Sequence, residues 1–368
     1  MTRVLVIEAS GNLWGSERAL LDLLDGMRTM KVAVCCPPGM PLQRDLENRH
    51  IRTLPRYVYG LHQKSRWHRL RAAIGVLWAC LEFRPDVVYL NQSGSYKVTL
   101  PAASLLHLPI VAHVRIFEDA AYLARQSPDP KRLRGIIAIS SAVEGEIRRF
   151  QALEAIPLHR IYDAYASSEQ LHSVSSADRA TNRVACVGRL VPVKGQDILV
   201  AALGLLKNFK GDVQCLILGK GNANFVQELK QLASAGNVAS SIQWLGFVSD
   251  VLSPLRTCSV LVCPSHHEPL GRVIFEAWDA GAIPVVFSGS GGAAEIVAAA
   301  NGGILYEEQR PESLARALQD ALELDSEQRA RLVSNGRSWM AKNCNPKSYG
   351  EALSAILTSA CASRHHSP

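Results

Sequence analysis

The chain has 368 residues, 48% of them apolar and 20% charged, with a formal net charge of +7. This composition excludes a disordered chain, and the length suits two cores of roughly 150 to 200 residues each. The positive balance fits an acidic partner, an anionic membrane surface or phosphorylated ligands, and no nucleic-acid partner is expected.

Glu8 interrupts the apolar run of the first residues, so no signal peptide is expected. The longest uncharged apolar stretch, Ala72 to Leu81, is about half of what a spanning helix needs. A cytoplasmic protein follows as the expectation, at most peripheral at the inner face of the plasma membrane. The nine cysteines show no CxxC pair and no metal-ligand spacing, and read as reduced thiols in the core.

In chain order, apolar strands are predicted at Val4 to Ile7, Val32 to Cys35, Val87 to Leu90, Ile110 to Val114 and Gly135 to Ile139, with helical stretches between them. Continuous apolar strands alternating with helices signal a parallel sheet covered on both faces. The long helix ending at Phe83 is preceded by a basic segment containing Arg66, Arg69 and Arg71. Two readings stand for it: a helix lying at a membrane face, or a surface helix packed by its apolar side on the sheet.

Residues 169 to 182 are small and polar and read as a linker. The strand pattern then restarts at Val184, Cys215, Ile242, Val260, Pro284 and Gly303, and three helical stretches close the chain. The predicted division is therefore 1 to 168, a linker, 183 to 345, and a C-terminal helix and tail at 346 to 368, the helix able to pack back on the first domain. Doubly wound sheets bind ligands at the carboxyl ends of their strands, so functional residues are sought there.

The richest segment runs from Cys263 to Pro284. A buried strand ends at Pro264, a loop carries Glu268, and a helix begins near Leu270 and stops at Gly281. This places Glu268 at a mouth, Glu276 in the second helical turn, and a helix start with unpaired amides beside Gly271. Carboxylates bind vicinal hydroxyls of sugars and ribose through paired charge-assisted hydrogen bonds. The alternative is a capping Glu268 and a solvated Glu276. After the strand ending at Val187, Arg189 and Lys194 are placed to clamp a diphosphate or to form surface ion pairs, with Gly188 and Gly195 beside them.

Four stretches taken together resemble the retaining glycosyltransferase family 4: Gly-Arg-Leu-x4-Lys-Gly over 188 to 195, Leu-Gly-Phe over 245 to 247, Glu-x7-Glu over 268 to 276, and Ser-Gly-Ser-Gly-Gly-Ala-Ala-Glu-Ile-Val over 288 to 297. The resemblance implies the GT-B fold, an α/β architecture of two Rossmann-like doubly wound parallel-sheet domains facing an interdomain cleft. It implies a nucleoside-diphosphate sugar donor, with Glu276 on the ribose, Glu268, Pro269, Leu270 and Gly271 on the transferred sugar, and Arg189 and Lys194 neutralising the leaving diphosphate. No metal or other cofactor is expected. The acceptor would be a glycan or a lipid-linked sugar.

In the first domain, Gly15 and Glu17 match the family's glycine-rich loop, but Trp14 stands where its first glycine would be. Gly15 is expected to approach a phosphate, and Trp14 either shapes an acceptor site or simply packs. His113 occupies the position of a cleft histidine near the acceptor, as a general base or as a strand-end residue bonded to nearby backbone. The segment from Ile161 to Tyr165 departs from the family pattern and carries no functional residue over. A dehydrogenase reading fails at Gly219-Lys-Gly221, which lacks the third glycine of the dinucleotide fingerprint. A non-catalytic sugar-nucleotide-binding protein of the same fold stays open.

Overall fold

The computed structural model describes residues 1–27, 29–58, 65–167, 180–206 and 212–362. Contacts divide the chain into two units, Met1–Ala166 with Asn343–Pro368, and Ser167–Lys342. Residues 169 to 179 of the segment read as a linker lie outside the described residues, and 180 to 182 open the first strand of the second unit.

The first unit runs β1 (Arg3–Ile7), α1 (Gly15–Gly26), β2 (Lys31–Cys36), α2 (Pro41–Asn48), β3 (Arg52–Pro55), α3 (Arg66–Phe83), β4 (Val87–Leu90), α4 (Tyr96–Leu105), β5 (Ile110–Val114), α5 (Phe117–Arg125), β6 (Leu133–Ala138), α6 (Ser141–Arg148) and β7 (Leu158–Arg160). All pairings are parallel, in the order β3-β2-β1-β4-β5-β6-β7. Parallel strands need crossovers, and helices supply them. Strand residues alternate faces, so Val4, Val6, Val34 and Tyr89 share a core with Leu20, Leu24 and Leu42 of α1 and α2. The same core takes Tyr349, Leu353 and Leu357 of the last helix, which follows the second unit in sequence. The two edge strands, β3 and β7, escape the apolar pattern because they lie at the ends of the sheet with partly exposed side chains.

The second unit runs β8 (Ala180–Val187), α7 (Gln196–Leu205), β9 (Gln214–Leu218), α8 (Ala223–Ala235), β10 (Ile242–Gly246), α9 (Leu252–Arg256), β11 (Cys258–Cys263), α10 (Arg272–Ala280), β12 (Ile283–Phe287), α11 (Gly292–Ala300), β13 (Ile304–Tyr306), α12 (Pro311–Glu323) and most of α13 (Ser326–Asn343). The last helix of the chain is α14 (Pro346–Ala362). The sheet order is β10-β9-β8-β11-β12-β13, again parallel throughout. Both sheets therefore carry the dinucleotide-fold order, with strand sequence reversing direction between β1 and β4 in one unit and between β8 and β11 in the other. These reversals leave crevices at the carboxyl ends of the strands.

Candidate functional site

In the second unit the loops leaving β8 and β11 meet at the reversal point. Gly195 has φ +68, and a Cβ there would sit 2.0 Å from the Pro264 carbonyl oxygen. Only glycine permits so close a passage. The amide of His266 donates to the Val193 carbonyl at 2.9 Å, and Gln309 Nε2 donates to the Pro264 carbonyl at 2.5 Å. The two loops are thus held as one rigid platform.

Lys194 and Glu268 come together on this platform. The Lys194 ammonium donates to Glu268 Oε2 at 2.5 Å, and Ser265 Oγ donates to the same oxygen at 3.2 Å. Burial pulls the lysine pKa down, but the charge of Glu268 and the hydrogen bond to it, with a smaller contribution from Cys263, together outweigh burial and leave the ammonium above its ordinary value. The Glu268 backbone is also fixed: its N–H donates to Ser290 O at 2.7 Å and its carbonyl accepts from Gly292 at 2.8 Å. Glu268 is therefore tied to the start of α11 through its main chain, while its carboxylate stays on the lysine.

Pro269 and Leu270 continue the loop, with Leu270 buried. Gly271 then caps α10 in the left-handed region at φ 87, and a Cβ there would meet the Ala293 Cβ at 2.8 Å. The steric demand at this glycine comes from α11 as well as from any ligand. Glu276 lies in the second turn of α10 and is 8% exposed, so it is no solvated surface residue. Arg189 is exposed on the loop after β8, with its carbonyl accepting from the Gln196 amide at 2.9 Å. Five expected positions, Lys194, Glu268, Pro269, Leu270 and Gly271, fall on two loops braced against one another.

The first unit places its expected residues differently. Gly15 opens α1 in open space, beside an exposed Trp14 whose amide donates to Glu17 Oε2 at 3.1 Å. His113 is fully buried, with Nδ1 2.7 Å from Tyr89 Oη and 3.4 Å from Tyr349 Oη. Burial, then the nearby Arg115 charge, hold its pKa well below the ordinary value, so the ring is neutral.

At the reversal point between β1 and β4 lies a polar network that the sequence reading did not assemble. Asn91 Nδ2 donates to Glu8 Oε2 at 2.5 Å, and the Ser10 amide donates to Glu8 Oε1 at 2.8 Å. Arg115 Nε donates to the Asn91 carbonyl at 2.8 Å and Nη2 to Asn91 Oδ1 at 2.9 Å, while Nη1 pairs with buried Asp163. Glu8, Asn91 and Arg115 each follow directly on an apolar strand, and that repeated strand-end polarity was the available signal. Burial, and next the Glu17 charge, raise the Glu8 carboxyl to about 7.

Residues 167–339 match the model of the glycosyl transferases group 1 domain, and residues 15–165 match the model of glycosyltransferase family 4. The chain is a family 4 glycosyltransferase. This glycosyltransferase is 29% identical to the lipopolysaccharide core biosynthesis glycosyltransferase LpsE of Rhizobium meliloti, over 94% of this chain and 96% of the relative. It is 32% identical to a GDP-mannose-dependent phosphatidylinositol monomannoside mannosyltransferase of Corynebacterium glutamicum, in a match spanning about half of each chain, 48% and 47%. Among solved structures, Anabaena HepE in complex with UDP and glucose superposes with a TM-score of 0.82 at 22% identity, over 98% of this chain and 100% of that one, and has the same GT-B fold. Among the described residues, no helix of this glycosyltransferase is long and apolar enough to cross a membrane.

Proposed function

We propose that this glycosyltransferase moves a hexose-type sugar from a nucleoside-diphosphate sugar to a hydroxyl of a glycan or lipid-linked acceptor, with retention at the anomeric carbon, in cell-envelope or exopolysaccharide synthesis. The observation that carries the reading is the Lys194 to Glu268 contact on the braced platform at the ends of β8 and β11. A cation and a carboxylate at that point suit a ligand that is anionic at one end and rich in hydroxyls at the other. HepE, whose structures hold UDP and UDP-glucose, and the mannosyl and lipopolysaccharide relatives support the donor class.

In this reading Lys194 moves from Glu268 to the diphosphate, with Arg189 beside it, and Glu268 turns to the sugar hydroxyls. Glu276 takes the ribose, and the amino-terminal end of α10 turns its positive dipole toward a phosphate. The bond from the anomeric carbon to the diphosphate oxygen breaks, and the acceptor oxygen bonds to that carbon on the same face. The acceptor proton passes to the departing diphosphate, whose charge the two cations neutralise without a metal. His113, sealed between Tyr89 and Tyr349, acts as a positioning residue for the ends of β4 and β5.

The burial of His113 also favours a second reading, a protein that binds sugar nucleotides without transferring the sugar. A thermal-shift series with UDP, GDP, ADP, TDP and CDP, with Mg²⁺ or with EDTA, on the wild type and Glu276→Ala, tests donor binding. A metal-independent shift for one nucleotide, absent in the variant, supports the reading and names the base. No shift with any of the five would sink it. Release of free nucleotide from the matching sugar nucleotide then separates transfer from binding alone.

A further inference from the structure

Helix α3 is apolar on two opposite sides. Ala72, Val76, Ala79, Cys80 and Phe83 are buried in the first unit, where α3 packs on β2 and α4. Trp67, Leu70, Ile74, Trp78 and Leu81 form a second apolar set, and all are exposed, from 45% at Leu81 to 79% at Trp67. At about 100° per residue these five fall within an arc of about 80°, centred almost diametrically opposite the buried set. They make a stripe about 21 Å long. A helix with two opposed apolar faces buries one against its own fold and leaves the other for a partner, and a continuous exposed stripe of this size marks an interaction surface.

The charges around the stripe identify the partner. Arg66 and Arg71 lie at its two edges, and the Arg71 guanidinium sits 4.1 Å from the centre of the Tyr57 ring, itself exposed. The acid on α3, Glu82, is engaged by Arg52 at 3.2 Å and Arg56 at 3.0 Å. At the far end the stripe runs into a groove of about 370 Å³ lined by Cys80, Leu81, Arg84, Pro85, Leu106 and Leu108. An apolar floor with a guanidinium at its rim suits an amphiphile with an anionic head. A second copy of the chain is disfavoured, because self-contact would bring like-charged arginines together without acids to meet them. Tryptophan and arginine on one face of a helix are the composition of an interfacial membrane anchor.

We infer that the outward face of α3 seats this protein on an anionic bilayer, with Trp67, Leu70, Ile74, Trp78 and Leu81 in the headgroup region and Arg66, Arg71 and Arg84 on lipid phosphates. The inference deepens the reading of a lipid-linked acceptor and gives it a location, but the surface itself can be tested without donor or acceptor.

The test is co-sedimentation of the full chain with vesicles of equal parts phosphatidylglycerol and phosphatidylcholine, and with phosphatidylcholine alone. The wild type is expected to bind the anionic vesicles, and binding should weaken as salt is raised. Trp67→Ser with Trp78→Ser should weaken it about tenfold or more through lost apolar contact. Replacing Arg66 and Arg71 by Gln should weaken it about fivefold per arginine. Unchanged melting temperature and unchanged nucleotide shift show that the variants remain folded. Absence of wild-type binding, or equal binding by the tryptophan variant, overturns the inference, as does self-association of the wild type without vesicle binding. Vesicle binding with no nucleotide shift would leave the surface standing and remove the donor reading alone.

Discussion

Lys194 and Glu268 neutralise one another across 2.5 Å, on loops that follow different strands and are separated by 74 residues in sequence. In the proposed reaction each partner has another task, so the pair acts as a resting lock that the donor opens. Glu268→Gln removes the lock's charge and frees the ammonium for a diphosphate. Binding of the free nucleoside diphosphate should then be unchanged or tighter, while sugar transfer falls by about 10²-fold or more. Calorimetric titration with the diphosphate and a turnover assay with the sugar nucleotide check both halves. Full turnover in the variant would remove Glu268 from the reaction.

Glu276 should behave in the opposite way. A carboxylate accepting hydrogen bonds from ribose hydroxyls contributes about 1.5–3 kcal/mol, so Glu276→Gln should weaken the nucleoside diphosphate by about 10- to 150-fold. Inorganic pyrophosphate, which lacks the ribose, should bind both proteins alike. Parallel titrations with the two ligands make the comparison, and equal loss for both would place Glu276 in the fold and not on the ribose.

The Glu8 carboxyl gives a pH signature. Burial raises its pKa from the ordinary 4.5 to about 7, so the native state holds a proton that the unfolded chain gives up at lower pH. The stability this proton confers is complete below about pH 4.5 and is lost as pH rises through about 7. Glu8→Gln mimics the protonated form and should keep what the wild type loses. Relative to the wild type, the variant should gain up to about 3 kcal/mol between pH 4.5 and 8. Denaturant melts at the two ends of that range measure the difference. A constant difference across the range would show that the Glu8 pKa is the same in the native and unfolded states, and so is not raised by the fold.

The contrast between the two units shows what a sequence exposes. Gly188, Gly195, Glu268 and Gly271 were readable because the second-unit platform is built from local stretches, each a loop closing one strand onto its own helix. Glu8 was seen only as a break in an apolar run, and Asp163 carried no role, because their meaning arises from neighbours 83 and 48 residues away. His113 was placed at a strand end, which it nearly is, but position along a strand does not reveal that Tyr349 of α14 comes back to cover it. The second apolar face of α3 was in the sequence, yet periodicity cannot tell which of two opposed faces the fold will use.

Asp163 tests the first-unit network directly. Arg115 is 6% exposed and Asp163 equally so, and the carboxylate is the charge that keeps the guanidinium paired. Burial alone would lower the arginine pKa, and Asp163, together with Tyr89 and Tyr349, more than reverses that effect. Removing one partner of a buried pair leaves the other charge uncompensated, at a cost of about 3–5 kcal/mol. Asp163→Ala should therefore destabilise the first unit by that amount. Adding Arg115→Met should restore part of it, since the stranded charge is gone, although Asn91 then loses the donors that hold its carbonyl and its side-chain oxygen. Chemical melts of the wild type, both single variants and the double variant close the cycle. A double variant no more stable than Asp163→Ala would mean that the network is held by Asn91 and its backbone, and not by the ion pair.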